Sequence, residues 1–253
     1  METKTLMTRR RALVAGGMAS LGGLFLARYP KRLPPTYGNL LRMGDTFTYA
    51  AHRTLLPGES MVKEYTLADL TSFPAVGTTN PGVSEKTDLG DMYRDLQRAA
   101  FAGWRLPVEG RVARPQQFSI ADLRRLPSRT QITRHTCEEG WTAIGQWTGV
   151  PLAAVLEAAG ILPSARFVVF HTYDDGIDSI DLVDALHPQT ILAYGMNGRE
   201  VPIAHGAPVR LRVERQMGYK SLKYLRRIVV ADEFDDGGKH GNIQNGWAWY
   251  TGI

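Results

Sequence analysis

The stretch Thr130–Trp141, TQITRHTCEEGW, decides how the rest of the chain is read. Thr130 to Thr136 has the β-branched, alternating character of a strand, and the chain's single cysteine, Cys137, sits at its end. His135 and Cys137 stand at alternate positions and share one face of that strand. Working outward, Leu106 to Val112 reads as a strand, and Ser119 with Asp122 forms a capping box that opens a short helix ending near Pro127. Downstream, Pro151 suits the first turn of a helix through Ala159, with Gly160 as its C-terminal cap. RFVVFHTY, from Arg166 to Tyr173, is a strand, and a short helix is expected from Ile180 to Leu186. Ile191 to Met196 leads into Asn197-Gly198, a dipeptide made for a tight hairpin. Val209 to Val213 and Leu225 to Ala231 complete the strands. Strands mixed with a few short helices indicate an α+β domain, not regular βα alternation.

The rest of the chain frames this core. Residues 31–103 have weak periodicity and many Pro, Gly and Thr residues, as in PAVGTTNPG from Pro74, and are expected to form an irregular wrapping lead-in that supplies part of a pocket. Residues 104–253 are the expected core domain. Its glycine-rich tail from Phe234 to Ile253 is read as a packed, irregular closing segment. Residues 1–30 read as a twin-arginine export signal. Thr8-Arg9-Arg10-Arg11-Ala12-Leu13 precedes an apolar, Gly/Ala-rich run from Leu13 to Ala27, which Arg28 and Lys31 close. That run is about fifteen residues long, short of the roughly 20 that span a bilayer. The expected location is the periplasm, with an uncleaved N-terminal anchor as the alternative because no A-x-A cleavage site follows.

Twin-arginine export carries folded proteins, which suits a cofactor inserted before the chain leaves the cytoplasm. A lone cysteine in an oxidising compartment has no intramolecular disulfide partner, so Cys137 is expected to be buried or bonded to something. Its thiolate suits a soft or high-valent metal. Structural zinc wants about four ligands, and no compact His/Cys cluster accompanies Cys137. A cysteine nucleophile would need a base from among His52, His135, His171, His187, His205 and His240, and no peptidase signature is present. A buried thiol acting as a small hydrophobe stays open.

The second informative stretch is HGAPVRLRVERQMGYKSLKYLRRI, His205 to Ile228, in which Arg210, Arg212, Arg215, Lys220, Lys223, Arg226 and Arg227 are cationic. It is read as an anion site for a phosphate group, with a solvated basic face as the alternative. The formal net charge of +5 does not choose between them. Nucleic acid is disfavoured, since aromatic residues do not interleave with the cations.

The two stretches together resemble the molybdopterin-binding domain of the sulfite-oxidase family and, more closely, the exported catalytic subunit of the bacterial methionine-sulfoxide reductase system. The resemblance implies a mixed, largely β domain with short helices that binds Mo-molybdopterin, with Cys137 as thiolate ligand of the molybdenum. It places Thr172 against the cofactor and His205 where the family has asparagine. Arg210 is kept, and Ser221, Leu222 and Lys223 take over a glycine-isoleucine-lysine contact. The resemblance also implies cofactor-binding positions at Tyr49, His52 and Arg53, where the reductase has asparagine, tyrosine and glutamate, and His52 and Arg53 are expected to make the pocket rim more basic. The implied activity is oxygen-atom transfer, reducing a small or protein-bound S-oxide such as methionine sulfoxide with electrons from a membrane haem protein. The alternatives are sulfite oxidation with a cytochrome as acceptor, which a basic rim would favour, and a non-catalytic exported binding domain. A monomer is expected, because the chain stops soon after GWAWYTGI where sulfite oxidases continue into a dimerisation domain.

Overall fold

Burial alternates along Thr142–Gly149, where Ala143 and Trp147 turn inward, until the register shift after Thr148 buries Val150 as well. The computed structural model describes residues 40–235, 237, 240–241 and 246–253; the twin-arginine segment, residues 1–30, lies outside the described residues. In chain order the helices and strands are α1 (Leu40–Leu55), α2 (Pro81–Ser84), α3 (Asp88–Arg98), β1 (Leu106–Gly110), β2 (Gln116–Phe118), α4 (Ile120–Arg125), β3 (Arg129–Thr136), β4 (Thr142–Pro151), α5 (Leu152–Ala159), β5 (Phe167–Thr172), β6 (Ile177–Asp181), α6 (Leu182–Ala185), β7 (Ile191–Met196), β8 (Arg199–Glu200), β9 (Arg210–Arg212) and β10 (Leu225–Ala231).

Two sheets result. One has the order β2-β1-β10-β5-β6, with β1 and β10 parallel and its other pairs antiparallel. The other is antiparallel, in the order β3-β4-β7-β8, and β9 adds to β7. The domain is α+β and largely β. Its main core gathers Leu106, Val108, Ile228 and Phe170 from the first sheet, Leu192 and Leu211 from the second, and Leu152, Val155 and Leu156 from α5. A smaller cluster around Trp147 and Ile191 takes Phe73 against it.

Several local signals act as read. Ser119 and Asp122 form the capping box of α4, Gly160 ends α5 in the left-handed conformation, and Asn197 and Gly198 turn the β7–β8 hairpin with φ of 49° and 75°. Two readings are corrected, and one strand went unread. Ile180 belongs to β6, and the helix after it begins only at Leu182, because Asp181 accepts a hydrogen bond from Asp184 N and caps it. Residues 31–103 are not irregular throughout. Gly44 and three threonines mask α1 in the sequence, and its stability comes from tertiary contacts of Tyr49 and Arg53. In α3, Thr87 caps the start, and the fully buried Tyr93 donates to Ala207 O at 2.7 Å. The unread strand is β4, whose glycines and terminal proline gave no strand signal. They serve close packing instead, for a Cβ on Gly149 would lie 2.2 Å from Leu192 O on the neighbouring strand.

That contact makes a testable contrast. Gly149→Ala is expected to destabilise the protein by about 3 kcal/mol by forcing β4 and β7 apart. Gly44→Ala, on a helix with nothing within 4 Å of the added methyl, is expected to stabilise by up to about 1 kcal/mol. Urea denaturation of the two variants measures both.

Candidate functional site

Where β3 ends, Cys137 N donates to Trp141 O at 2.9 Å and Cys137 O accepts from Gly140 N at 3.1 Å. This tight turn, with Gly140 at φ 89°, holds the thiol at the head of a cavity of about 270 Å³. Four parts of the chain build the walls: Phe73–Thr78 of the lead-in, His135–Trp141, the Asp174–Gly176 turn between β5 and β6, and Ala204–Lys223. Cys137 is 3% exposed. Burial first, then the charges of Glu138 and Glu139, push its thiol up to about 11, against a backbone hydrogen bond at Glu139 that works the other way. The thiol donates to Glu138 Oε2 at 3.6 Å. A metal cation here would displace that proton and restore the thiolate.

Six of the seven cations of His205–Ile228 separate into two groups; Arg226 neither lines the cavity nor pairs with a carboxylate among the described residues. Arg212 pairs with Glu214, Lys220 with Asp178 at 2.6 Å, Arg215 approaches Asp184 at 3.9 Å, and Arg227 pairs with Glu109. Arg210 and Lys223 line the cavity and make no carboxylate contact among the described residues. Arg210 donates to His205 O at 2.9 Å and Ser221 O at 2.7 Å, and its buried Nε has no partner. Lys223 donates to the carbonyls of Val76, Thr78 and Ala204. Burial, reinforced by Arg212, lowers Arg210 to about 9; burial and then Arg210 lower Lys223 to about 8, with Asp174 opposing. Two desolvated cations and an orphaned N–H facing one cavity fit a bound phosphate, which supplies the missing negative charge and acceptors.

Of the other residues singled out in the sequence, His205, Ser221 and Leu222 are on the cavity wall. Thr172 lies behind it. Its hydroxyl accepts from Gly176 N at 2.9 Å and locks the turn that carries Asp174. Tyr49, His52 and Arg53 are not on the wall. Tyr49 donates to Asp181 at 2.8 Å, Arg53 binds Asp181 and Asp184, and His52 meets Tyr250 in a cluster with the C-terminal tail. The cavity lining therefore lacks the basic pair expected of it, and holds Glu138, Glu139 and Asp174 beside Arg210 and Lys223. Sequence reasoning missed Phe73, whose ring meets His135, Trp141, Trp147 and His205, as well as Asp174 and Tyr219. For Phe73 the available signal was one aromatic residue beside the Pro/Gly-rich PAVGTTNPG.

Residues 94–238 match the family described as oxidoreductase molybdopterin binding domain, which is more than half of the chain. A putative protein-methionine-sulfoxide reductase subunit YedZ1 of Azospira oryzae is 37% identical over 162 residues, covering 64% of this chain and 60% of that protein. The match thus spans less than two thirds of that relative. The protein-methionine-sulfoxide reductase catalytic subunit MsrP of Pseudomonas syringae pv. tomato is 26% identical over 250 residues, 91% of this chain and 73% of the relative. MsrP of Burkholderia mallei is 28% identical over 261 aligned positions, 97% and 76% respectively. Among solved structures, the sulfane dehydrogenase SoxCD of Paracoccus pantotrophus shares the fold with a TM-score of 0.50 and 25% identity, over 53% of this chain and 39% of that one.

The electrostatics of the wall make stability depend on pH. Burial first, then Arg210 and Lys223, lower His205 to about 4 from its ordinary 6.5. Between those values the unfolded chain binds the proton and the folded chain refuses it, so this contribution is intact above about pH 6.5 and is lost as pH falls to about 4. His171 and His187, also lowered chiefly by burial, act in the same direction. Thermal midpoints of the cofactor-free protein are expected to drop across that window, and His205→Asn to flatten the slope.

Proposed function

Because the chain belongs to the oxidoreductase molybdopterin-binding domain family, we propose that it is the catalytic unit of an exported S-oxide reductase whose Cys137 thiolate binds the molybdenum. It is an oxidoreductase, and Mo-molybdopterin is its cofactor. When bound, that cofactor supplies two-electron oxygen-atom transfer. The chain's own residues hold and orient it. Arg210 and Lys223 neutralise the pterin phosphate, Ser221 fixes Arg210 through its carbonyl, and His205 and Leu222 close the wall beside them. Thr172 acts indirectly, by locking the Asp174 turn. Tyr49, His52 and Arg53 anchor α1 away from the cavity and do not serve as the cofactor contacts that the resemblance implied.

The observation that carries this reading is that the one thiol opens on the same cavity as Arg210 and Lys223, two cations with no carboxylate partner among the described residues. The choice of an S-oxide over sulfite rests on the rim. Glu138 and Glu139, next to the thiol, oppose a sulfite anion, whereas the rings of Phe73 and Trp141 suit the alkyl groups of a neutral sulfoxide. Methionine sulfoxide, free or within a protein, is the substrate proposed, in keeping with the names of the relatives. The Thr8–Leu13 motif supports export to the periplasm by the twin-arginine route. The relatives' designation as subunits favours a partner protein, and the electron donor proposed is a membrane haem protein.

Protein purified from a host that makes the cofactor is expected to hold one molybdenum per chain by elemental analysis and to reduce methionine sulfoxide with reduced viologen as donor. Cys137→Ala is expected to lower that activity at least about a hundredfold. Sulfite oxidation with a cytochrome acceptor, in the absence of sulfoxide reduction, would reverse the assigned direction; metal-free wild-type protein would refute the Cys137 centre.

A further inference from the structure

We propose that His135 is a fixed hydrogen-bond donor that seats the oxygen of the S-oxide substrate in the Cys137 cavity, an assignment that rests on the oxide-reductase reading above. The argument begins with Arg212. Its Nε and Nη2 are bonded to the two oxygens of Glu214 at 3.0 and 2.8 Å, and its Nη1 lies 2.9 Å from His135 Nδ1. A guanidinium only donates, so Nδ1 is the acceptor. The imidazole proton then sits on Nε2, and the ring is held in a single tautomer by chemistry.

The ring's direction is fixed as well. His135, Phe73 and Trp141 pack as a triangle of rings, with His135 at centroid separations of 5.2 Å from Phe73 and 5.5 Å from Trp141, and 6.0 Å between the other two. Its Nε2 edge lies over Gly218, where a Cβ would come within 2.4 Å of Nε2. His135, Gly218 and Cys137 all line the cavity. No described residue accepts a hydrogen bond from Nε2, and the atom is not sealed from solvent among the orphaned buried groups. A neutral donor with no protein acceptor is thus held beside the metal-binding cysteine, on a ring only 8% exposed.

Such a donor matches one class of ligand. The oxygen of a sulfoxide is a strong acceptor without a formal charge, so one neutral N–H satisfies it where an anion would call for cations. The thioether left after the oxygen is removed has only a weak acceptor sulfur to offer. Binding through Nε2–H therefore favours the substrate over the product and eases product release. The flanking rings of Phe73 and Trp141 hold sulfur and alkyl groups in both states.

The test uses the molybdenum-loaded enzyme and compares wild type with His135→Leu, which lacks the donor, and His135→Gln, which returns an N–H near the Nε2 position. Methionine sulfone and methionine serve as competing ligands, one with oxygen acceptors and one without. His135→Leu is expected to weaken the inhibition constant of the sulfone, and to raise KM for the sulfoxide, about tenfold. The constant for methionine should be unchanged, and His135→Gln should recover most of the sulfone binding. Imidazole 15N spectra of the wild type should show Nε2 protonated and Nδ1 bare. Retained molybdenum in both variants excludes loss of the fold as the cause. A proton on Nδ1, equal weakening of sulfone and methionine, or an unchanged sulfone constant in an enzyme that reduces sulfoxides would overturn the role of His135 alone. Loaded wild-type enzyme that reduces no sulfoxide would overturn the oxide-reductase reading together with it.

Discussion

The pair Arg212–Glu214, buried to 1% and 0% side-chain exposure, is the interaction on which the site depends. A charge taken from water into a protein core is tolerated only when its partner and the remaining donors and acceptors are satisfied. Here Gln131 of β3 donates to Glu214, His135 of β3 accepts from Arg212, and the Arg212 guanidinium lies 4.5 Å from the ring centre of Trp147 on β4. Gln131 also donates to Gln189 O, and the side chain of Gln189 bonds Val62 and Glu64 of the lead-in. One buried ion pair therefore sets β9, β3, β4 and the lead-in relative to one another, and the cysteine turn follows directly from the strand it aligns.

The same arrangement explains why Arg210 is left over. Arg210 and Arg212 stand two apart on β9, and both guanidiniums lie near the Trp147 ring, at 5.0 and 4.5 Å. Glu214 spends both oxygens on Arg212. Arg210 must make do with carbonyls, and its positive charge persists at the cavity wall because the structure places the available carboxylate elsewhere. On the opposite flank two acids share their cations, with Tyr49 and Gln216 as further donors. Asp181 and Asp184 take Arg53 from α1 and, at longer reach, Arg215, which fastens the N-terminal helix near Tyr250 of the tail.

Much of this was legible in the sequence where the signal is local. The strand before Cys137, the capping box at Ser119, the Asn197-Gly198 turn and Leu225–Ala231 are set by neighbouring residues, and they fold as their chemistry reads. The density of cations after His205 marked an anion site, but which cations serve it depends on carboxylates far away in the chain, such as Asp178 for Lys220 and Glu109 for Arg227. For the same reason Tyr49, His52 and Arg53 were set on a rim they do not reach. Arg53 is bound by acids more than a hundred positions downstream. The helix α1 was hidden because poor helix formers are held there by tertiary contacts, and β4 because its glycines answer to a neighbouring backbone and not to strand propensity.

Lys223 reaches across to the carbonyls of Val76 and Thr78, on the loop that brings Phe73 against His135. Any anion that draws the ammonium toward itself competes with those carbonyls, so phosphate occupancy and the position of residues 73–78 share one donor. By thermodynamic reciprocity, whatever restrains the loop alters the affinity for the anion, and the anion alters the loop by the same free energy. The aromatic wall that meets the substrate is in this sense a reporter of whether the cofactor is home.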